Sequence, residues 1–554
     1  MSIELPFGIA RHTDYETLSR GFRWELPETF NFAVDVVEAW AESRDGPALI
    51  TEDEVGGVRA LRFSDVALAA RRFADVLSGA GLVKGDRMII MMPRIAEWQI
   101  AMVGAMRLGV IVIPCIEMLT AGDLAYRVGN SGARAVFCRA SERAKFDDLG
   151  DGVAVRLALD DNGSRDAFEA DGWIDYATAT AAAPGEGVAA VVGREEPVAM
   201  YYTSGSTGHP KGVLHAARAV YAWRFAALHW LDLSPADRIW CTADTGWSKA
   251  GTSVLFGPWS CGACAFMFDG PFDPAGRLAL LAKHRISVYC APATELNRVV
   301  DEDVGAHDLA ALRRTVSAGE PMNPVVAERW QAATGIEVHE AYGQTESLMT
   351  VFNFPGSTLK VGSMGRPGPG IDLDVVDDQG RRLGENEQGN IAVLQPNPLM
   401  MIGYWGDQER TEKCYVDGPD GRWYLSGDRA ERDADGYLWF AGRVDDVITS
   451  AGYRIGPMEV ENVLLEHPAV LECAVVGAPD ETRGEIVKAF VVLRPGVHGD
   501  DALVTALQNH VRSVTAPYKY PRAIEFLEDL PKTITGKIRR HDLRARERGE
   551  VPEE

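Results

Sequence analysis

The chain has 554 residues, 46% of them hydrophobic and 25% charged, so it is long enough for two or more domains with large cores. Its formal net charge of −24 at pH 7 argues against nucleic acid and other polyanions as partners. The longest apolar stretches are interrupted by charge or fall short of about 18 residues, so we expect no integral membrane segment.

The N-terminus and the cysteines indicate a cytoplasmic protein. Residues 1–5 have neither a basic nor an apolar region, which argues against a secretory signal. The eight cysteines are scattered, mostly in apolar surroundings, where free cysteine behaves as a small hydrophobic residue. Cys261 and Cys264 form one C-x-x-C without a second pair, which is weak evidence for zinc.

Helical and strand-like patterns alternate after an aromatic-rich entry segment of about 45 residues. We predict helices over 64–80 and 95–108 and strands over 87–92 and 110–114. This alternation is typical of a parallel sheet with helices on its faces. Residues 177–193, rich in alanine and glycine, are predicted to be a surface connection.

A hydroxyl- and glycine-rich stretch follows the apolar run 198–202, and a helical pattern follows the stretch. Glycines let a backbone approach phosphate closely, while backbone N–H groups, hydroxyls and a lysine supply donors and positive charge. An ordinary surface turn is the alternative, but the flanking patterns and the terminal Pro-Lys-Gly favour a phosphate loop between a strand and a helix. Its candidate residues are Thr203, Ser204, Gly205, Ser206, Thr207, Gly208 and Lys211.

The alternation resumes over 239–318, and the composition changes twice beyond it. A glycine-dense segment over 356–370 opens a predicted β-rich subdomain with strands at 371–376 and 390–394. From about Asp445 the pattern predicts a small α+β unit. Its predicted helices span 457–465 and 501–514, and its strands span 472–476 and 487–493.

Five later stretches combine aromatic, hydroxyl and charged residues at predicted strand ends or loops. Each could be explained singly by a core tyrosine, a turn aspartate or a solvated lysine. The stretches are 317–321 (SAGEP), 340–346 (EAYGQTE), 423–428 (WYLSGD), 442–454 (GRVDDVITSAGYR) and 531–538 (PKTITGKI).

In this order, together with the 203–212 loop, these motifs resemble the adenylate-forming superfamily of acyl-CoA synthetases, luciferases and adenylation domains. Residues 443–493 and 513–540 are similar specifically to medium-chain acyl-CoA synthetases. The resemblance implies ATP, Mg²⁺ and coenzyme A as cofactors or co-substrates and a small carboxylic acid as substrate. Because charge crowds at phosphorus in such a reaction, cations and fixed donors are expected to dominate catalysis.

The resemblance implies a role for each motif residue in ATP binding. The 203–211 loop would bind the β- and γ-phosphates with Lys211 as a catalytic cation, Thr345 would touch the α-phosphate, and Glu346 would bind Mg²⁺. The adenine would stack on Tyr342, and Asp428 and Arg443 would bind the ribose hydroxyls. The remaining residues assigned to the nucleotide are Gly319, Glu320, Pro321, Glu340, Ala341, Gly343 and Gln344.

The resemblance also implies a C-terminal domain that rotates about Asp445 between two half-reactions. Lys537 would serve adenylation by reaching the substrate carboxylate and α-phosphate on a flexible stem. After rotation Ala451, Gly452 and Tyr453 would line the pantetheine tunnel, with Arg454 near the AMP phosphate. Arg483 and Arg512 match positions that contact the CoA nucleotide, although both could be solvated surface charges. Glu117 replaces a family glutamine at the tunnel mouth, which leaves a CoA contact there in doubt.

Two residues are predicted to shape the pocket for the acyl group. Acetyl-CoA synthetases carry a tryptophan that closes the acyl pocket where this chain has Gly343, so a pocket longer than acetate is implied. Trp247 is expected to line it, consistent with apolar chains or rings. Each methylene contributes only about 0.8 kcal/mol of burial, so the sequence does not choose among medium-chain, branched and aromatic acids.

We therefore predict an α/β enzyme: a large N-terminal domain (1–444) of parallel sheets with helices plus a β-rich subdomain, and a small mobile α+β C-terminal domain (445–554). The predicted function is an AMP-forming, medium-chain acyl-CoA synthetase of fatty acid metabolism. The first alternative is an adenylate-forming enzyme that loads a carrier protein, against which Arg483 and Arg512 argue. A luciferase-like oxygenase and a non-catalytic binding protein are further alternatives, and the sequence leaves the oligomeric state open.

Overall fold

The structure is a computed structural model of the chain. It describes residues 14–147, 149, 152–160, 172–203, 209–443, 446, 448–450, 453–480, 483–516, 518–532 and 538–550. Within these residues no helix is both long and apolar enough to cross a bilayer.

The described helices and strands alternate along most of the chain. The α-helices are α1 Tyr15–Gly21, α2 Ala39–Ser43, α3 Phe63–Gly79, α4 Ala96–Arg107, α5 Ala121–Ser131, α6 Tyr176–Ala182, α7 Ala217–His229, α8 Ser248–Ala250, α9 Gly257–Ser260, α10 Pro274–Lys283, α11 Ala293–Val299, α12 Pro324–Thr334, α13 Gln408–Glu412, α14 Pro457–Leu465, α15 Asp501–Val514 and α16 Arg540–Arg548. The strands are β1 Pro47–Asp53, β2 Val58–Arg62, β3 Arg87–Met91, β4 Ile111–Cys115, β5 Ala135–Arg139, β6 Val155–Leu159, β7 Ile174–Asp175, β8 Pro197–Thr203, β9 Lys211–Ala216, β10 Arg238–Cys241, β11 Cys264–Asp269, β12 Val288–Cys290, β13 Arg314–Ala318, β14 Val338–Gln344, β15 Leu348–Phe352, β16 Arg366–Pro367, β17 Leu373–Val376, β18 Gly389–Leu394, β19 Gly403–Tyr404, β20 Tyr415–Gly418, β21 Gly421–Arg432, β22 Leu438–Arg443, β23 Ile448–Ser450, β24 Tyr453–Ile455, β25 Val470–Asp480, β26 Gly484–Leu493 and β27 Ala523–Leu527.

An eight-stranded sheet has the order β19-β9-β8-β4-β3-β5-β6-β7. Its strands from β8 to β7 pair in parallel, and β9 and β19 add an antiparallel edge. Met88 to Met91 are fully buried in β3. Such continuous apolar runs are typical of parallel strands covered on both faces. The predicted alternation of parallel strands and helices is confirmed here.

The phosphate-loop hypothesis requires a correction in its secondary structure. The loop was expected to connect a strand to a helix, but it connects β8 to the antiparallel strand β9, and helix α7 follows only from Ala217. Residues 211–216 form a strand because they pair with β8 on one side and with β19 on the other. Lys211 is therefore the first residue of a strand, where its backbone position is fixed by the sheet.

A nine-stranded sheet has the order β16-β15-β14-β13-β12-β10-β11-β1-β2. The strands from β14 to β1 are parallel, whereas β15, β16 and β2 are antiparallel edges. One hydrophobic core joins the two large sheets, since it contains Val112 of the first and Val288 of the second together with buried tryptophans of α4 and α7.

The aromatic-rich entry segment packs on this body. Phe30 and Phe32 are buried, and the Phe22 ring centroid lies 4.7 Å from that of Phe225 in α7. The predicted surface connection is only partly correct, because its first residues belong to helix α6, whose N-terminus is capped by Asp175 accepting from the Thr178 N–H.

Two smaller sheets complete the described structure. The β-rich subdomain is a five-stranded antiparallel sheet ordered β17-β18-β21-β20, with β22 added on β21. The C-terminal unit has the order β24-β23-β26-β25, with β27 parallel to β26. Val460 and Leu464 of α14 and Leu507 of α15 are buried against this sheet. Both predicted classes, β-rich and α+β, are confirmed.

The division at residues 444 and 445 stays a prediction. Strand β22 ends at Arg443 and β23 begins at Ile448, so the predicted hinge Asp445 lies outside the described residues.

Candidate active site

The candidate site lies where parallel strands of the nine-stranded sheet end. Strands β13 and β14 are neighbours that end at Ala318 and Gln344, so the predicted stretches 319–321 and 342–346 meet at the same edge. Ligands of open α/β sheets bind outside the carboxyl ends of such strands.

A cation and a carboxylate meet at the phosphate side of this edge. The Lys211 ammonium lies 3.2 Å from the Glu346 carboxylate, which is 10% exposed. Tyr404 completes the group: its hydroxyl accepts from Lys211 Nζ at 2.7 Å and donates to Glu346 Oε1 at 2.8 Å. The structure thus brings two predicted residues together and adds a tyrosine that sequence reasoning missed.

Thr345 is fixed by two further residues that sequence reasoning missed. Its carbonyl oxygen accepts from His215 Nε2 at 2.8 Å, and its hydroxyl lies 3.1 Å from the Ser248 hydroxyl. Burial lowers the pKa of His215 to about 4, so the imidazole is neutral near pH 7 and Nε2–H is the donor. The backbone of the Thr345 segment is therefore tied to strand β9, which begins with Lys211.

A second cluster surrounds Asp428, the predicted ribose ligand. Its Oδ2 accepts from the Tyr342 hydroxyl and from Gln344 Nε2, both at 2.7 Å. The Tyr424 hydroxyl donates to Gln344 Oε1 at 3.2 Å, so the amide is oriented as well. Burial raises the pKa of Tyr342, which keeps its hydroxyl a donor. Arg443 pairs with Asp428 across β21 and β22, placing the predicted acceptor and donor side by side.

Glu320 and Glu340 contact backbone. The Glu320 carboxylate accepts from the Thr294 N–H at 2.6 Å, and buried Glu340 accepts from the Met322 N–H at 3.2 Å. Both contacts fix the chain on either side of Pro321, the stretch predicted to pack near adenine. Ala341 is buried and contributes backbone pairing to Phe352.

Glu340 gives a pH-dependent stability prediction. Burial raises its pKa to about 8, from 4.5. Between these values the unfolded chain loses the proton that the folded chain retains, so this carboxyl destabilises the fold progressively as the pH rises, by at most about 1.4 kcal/mol per pH unit. Glu340→Gln removes the titration. The measurement is the urea concentration at the unfolding midpoint. The value for the variant minus the value for wild type is expected to increase between pH 5 and pH 8.

The matched control for this change is Glu328→Gln, an exposed glutamate on α12. Because this side chain is exposed, the unfolding midpoint of the variant should stay close to that of wild type. A Glu340→Gln difference that stays flat over the same range would contradict a protonated Glu340.

Glycine is required at position 343 because the backbone of β15 approaches it closely. A Cβ built there would lie 1.8 Å from the Leu348 carbonyl oxygen, and Leu348 itself has a φ of +54°. Trp247 is half-buried against the main core, directly before helix α8 and the π-helical segment Gly251–Phe256. The acyl-pocket roles of both residues stay predictions.

The residues predicted to contact CoA have local partners in the structure. The Arg483 N–H donates to Asp480 at the turn between β25 and β26. The guanidinium of Arg512, a residue of α15, lies 4.0 Å from the ring centroid of Tyr520. Glu117 forms a two-point ion pair with Arg139 at 2.6 and 2.7 Å, so its carboxylate is already engaged.

Several predicted residues lie outside the described residues: Ser204, Gly205, Ser206, Thr207, Gly208, Ala451, Gly452 and Lys537. For Tyr453 and Arg454 only the backbone of β24 is described.

Two family models together match most of the chain. One described as "AMP-binding enzyme" matches residues 36–405, and one described as "AMP-binding enzyme C-terminal domain" matches residues 459–537. Among curated proteins, acyl-coenzyme A synthetase ACSM5, mitochondrial, of Homo sapiens is 40% identical, over 97% of this chain and 93% of that protein. The human acyl-coenzyme A synthetase ACSM3, mitochondrial, is 38% identical, over 97% of this chain and 92% of that protein.

Solved structures of CoA ligases and synthetases are also similar to this chain. The Brucella canis acyl-CoA synthetase is 31% identical with a TM-score of 0.75, and the match covers 97% of this chain and 99% of that one. The anthranilate CoA ligase AuaEII, in complex with anthranoyl-AMP, is 29% identical with a TM-score of 0.84, over 94% and 98% of the two chains. The chain therefore belongs to the AMP-binding enzyme family and, within it, to the acyl-coenzyme A synthetases.

Proposed function

We propose that the chain activates a medium-chain, branched or aromatic carboxylic acid with ATP and transfers the acyl group to coenzyme A. The observation that carries this proposal is the pair of clusters at one sheet edge. Lys211 with Glu346 supplies groups for phosphate and its cation, and Asp428 with Arg443 supplies groups for a ribose diol.

In the first half-reaction a carboxylate oxygen of the acid attacks the α-phosphorus, the bond from this phosphorus to the bridging oxygen breaks, and pyrophosphate leaves. Negative charge accumulates on the phosphate oxygens, so the Lys211 ammonium and the Thr345 hydroxyl are proposed to stabilise it. His215 and Ser248 would keep Thr345 in place, because both already contact it.

The position of Glu346 fits its proposed role as a magnesium ligand. Magnesium is commonly bound by one or two carboxylates together with substrate phosphates, and the buried Glu346 carboxylate faces the Lys211 side of the site. When bound, the ion would neutralise phosphate charge, while Glu346 fixes its position.

In the second half-reaction the CoA sulfur, after losing its proton, attacks the acyl carbonyl carbon, and the bond to AMP breaks. We propose that the C-terminal unit rotates about Asp445 between the two steps, withdrawing Lys537 and bringing Ala451, Gly452 and Tyr453 to the tunnel. Arg483 and Arg512 are proposed to bind the CoA nucleotide. A cytoplasmic location remains part of the proposal, although the human relatives are named mitochondrial.

The acid is proposed to be apolar. A small cavity lined by Trp223, Trp230, Leu231, Thr252, Leu348 and Met349 borders the strand that pairs with Gly343. Its aromatic and aliphatic walls favour hydrocarbon chains or rings over charged groups. Transfer to a carrier protein is the second candidate, but the relatives are named coenzyme A synthetases and ligases, which favours free CoA.

The test is AMP release from ATP across a panel of acids, from acetate to dodecanoate with 2-methylbutyrate and benzoate, each with and without CoA. We expect CoA-dependent AMP formation that peaks at one medium-chain, branched or aromatic acid. Pyrophosphate exchange that CoA does not accelerate would favour the carrier-protein function. Maximal activity with acetate would contradict the proposed pocket.

A further inference from the structure

The Lys211–Glu346 pair raises a physical problem for the proposed reaction. At 3.2 Å the two side chains attract each other strongly in this low-exposure environment, yet one must reach phosphate and the other a metal ion. A direct, fully formed ion pair would have to be broken each time ATP binds. A residue that contacts both of them therefore affects how readily the pair separates.

Tyr404 contacts both members of the pair. Its hydroxyl accepts a hydrogen bond from Lys211 Nζ and donates one to Glu346 Oε1, so a single neutral group satisfies both charges. The Lys211 ammonium also lies 4.3 Å from the centroid of the Tyr404 ring, within the range of a cation–π contact.

The backbone holds Tyr404 in register with both partners. Residues 403–404 form β19, which pairs with β9, the strand that begins at Lys211. On the same segment the Met401 N–H donates to the Glu346 carbonyl at 2.8 Å. The Tyr404 N–H donates to the Thr411 hydroxyl at 2.9 Å. Because Tyr404 is only 6% exposed, it has little freedom to move away.

We propose that Tyr404 is a positioning residue for ATP binding and adenylation. Its hydroxyl gives the Lys211 ammonium and the Glu346 carboxylate one hydrogen bond each in addition to their own contact, and its ring supports the lysine as it moves to the phosphates. This inference rests on the proposed function. It adds that the segment 401–405, far from the phosphate loop in sequence, sets the geometry of the phosphate and cation groups.

Tyr404→Phe is the direct test, because it keeps the ring and removes only the hydroxyl. A hydrogen bond to a charged group is worth enough for about a tenfold effect or more. We expect the dissociation constant for ATP in the presence of Mg²⁺, measured by calorimetry, to rise about tenfold. Pyrophosphate exchange should slow by a similar factor, whereas the reaction of supplied acyl-adenylate with CoA should proceed at the wild-type rate.

Tyr415→Phe is the matched control, since it removes the hydroxyl of a half-buried tyrosine in the same region that has no described contact to Lys211 or Glu346. Its ATP affinity should equal that of wild type. In a double-mutant cycle, the effects of Tyr404→Phe and Glu346→Gln on magnesium-dependent ATP binding should be less than additive. Both substitutions disturb the same hydrogen bond, from the Tyr404 hydroxyl to Glu346.

Three outcomes would overturn the inference: ATP affinity of Tyr404→Phe within twofold of wild type, equal losses in both half-reactions accompanied by a lower melting temperature, or strict additivity in the cycle. The acid panel tests the proposed function on wild type alone. Because ATP binding is measured without an acid, a failed panel leaves the Tyr404 result interpretable.

Discussion

Lys537→Ala is expected to slow acyl-adenylate formation by about 10²–10³-fold, the usual loss when one donor to a developing charge is removed. The resemblance places this lysine at the substrate carboxylate and α-phosphate in the first half-reaction only. Thioesterification of supplied acyl-adenylate should therefore stay close to the wild-type rate. Pyrophosphate exchange measures the first step, and acyl-CoA formation from synthetic acyl-adenylate measures the second.

Gly452→Leu is the reciprocal variant. If Gly452 lines the pantetheine tunnel, a leucine side chain should block the thiol arm and slow thioesterification while pyrophosphate exchange continues. Lys532→Ala serves as the control for Lys537, because Lys532 is engaged with Glu472 and Asp529 on the C-terminal unit. Equal losses of both half-reactions in Lys537→Ala would contradict domain alternation.

Most elements of the fold could be predicted because their signals are local. Helices α14 and α15 have the predicted bounds, and β3 and β4 lie within one residue of theirs. Strand β9 was missed, because its six residues carry no alternation: five of them are buried on a strand that is paired on both sides. A strand buried in this way gives no periodic pattern that distinguishes it from the start of a helix.

The candidate site was predictable where its residues share a motif and unpredictable where they meet across the chain. Thr345, Glu346 and Asp428 lie in stretches whose composition is unusual, so the sequence could indicate them. Tyr404 contacts Glu346 across 58 positions and His215 contacts Thr345 across 130, and neither has an unusual sequence neighbourhood. Only the pairing of β19 with β9 and the packing of both sheets bring these residues to the site.

Gly343 illustrates how a motif residue can be identified for one reason and needed for another. The resemblance associates it with an open acyl pocket. The structure shows that its Cα hydrogen faces the backbone of β15: a Cβ would lie 1.8 Å from Leu348 O, 2.4 Å from Leu348 C and 2.8 Å from Met349 N. These are backbone atoms of a strand paired with Gly343 itself, so no side-chain rotation relieves the contact.

Gly343→Ala is therefore expected to lower the free energy of unfolding by about 3 kcal/mol or more, at the upper end of overpacking effects. To admit the methyl group, β15 must move away from β14, and this displaces Tyr342, Gln344 and Thr345 together. ATP binding should be lost along with stability, and Gly343→Trp should fail to fold instead of gaining activity toward acetate. Urea unfolding followed by circular dichroism, with pyrophosphate exchange, measures both effects.

Gly129→Ala is the matched control, since Gly129 lies in helix α5 and a methyl group added there would meet no atom within 4 Å. At that position alanine should stabilise the chain by roughly 0.5–1 kcal/mol through helix propensity. If Gly343→Ala unfolded at the wild-type urea concentration and retained pyrophosphate exchange, β15 would have to move freely. The positions of Tyr342, Gln344 and Thr345 would then not depend on the pairing of β14 with β15, and the acyl-pocket role of Gly343 would become the better explanation for glycine at this position.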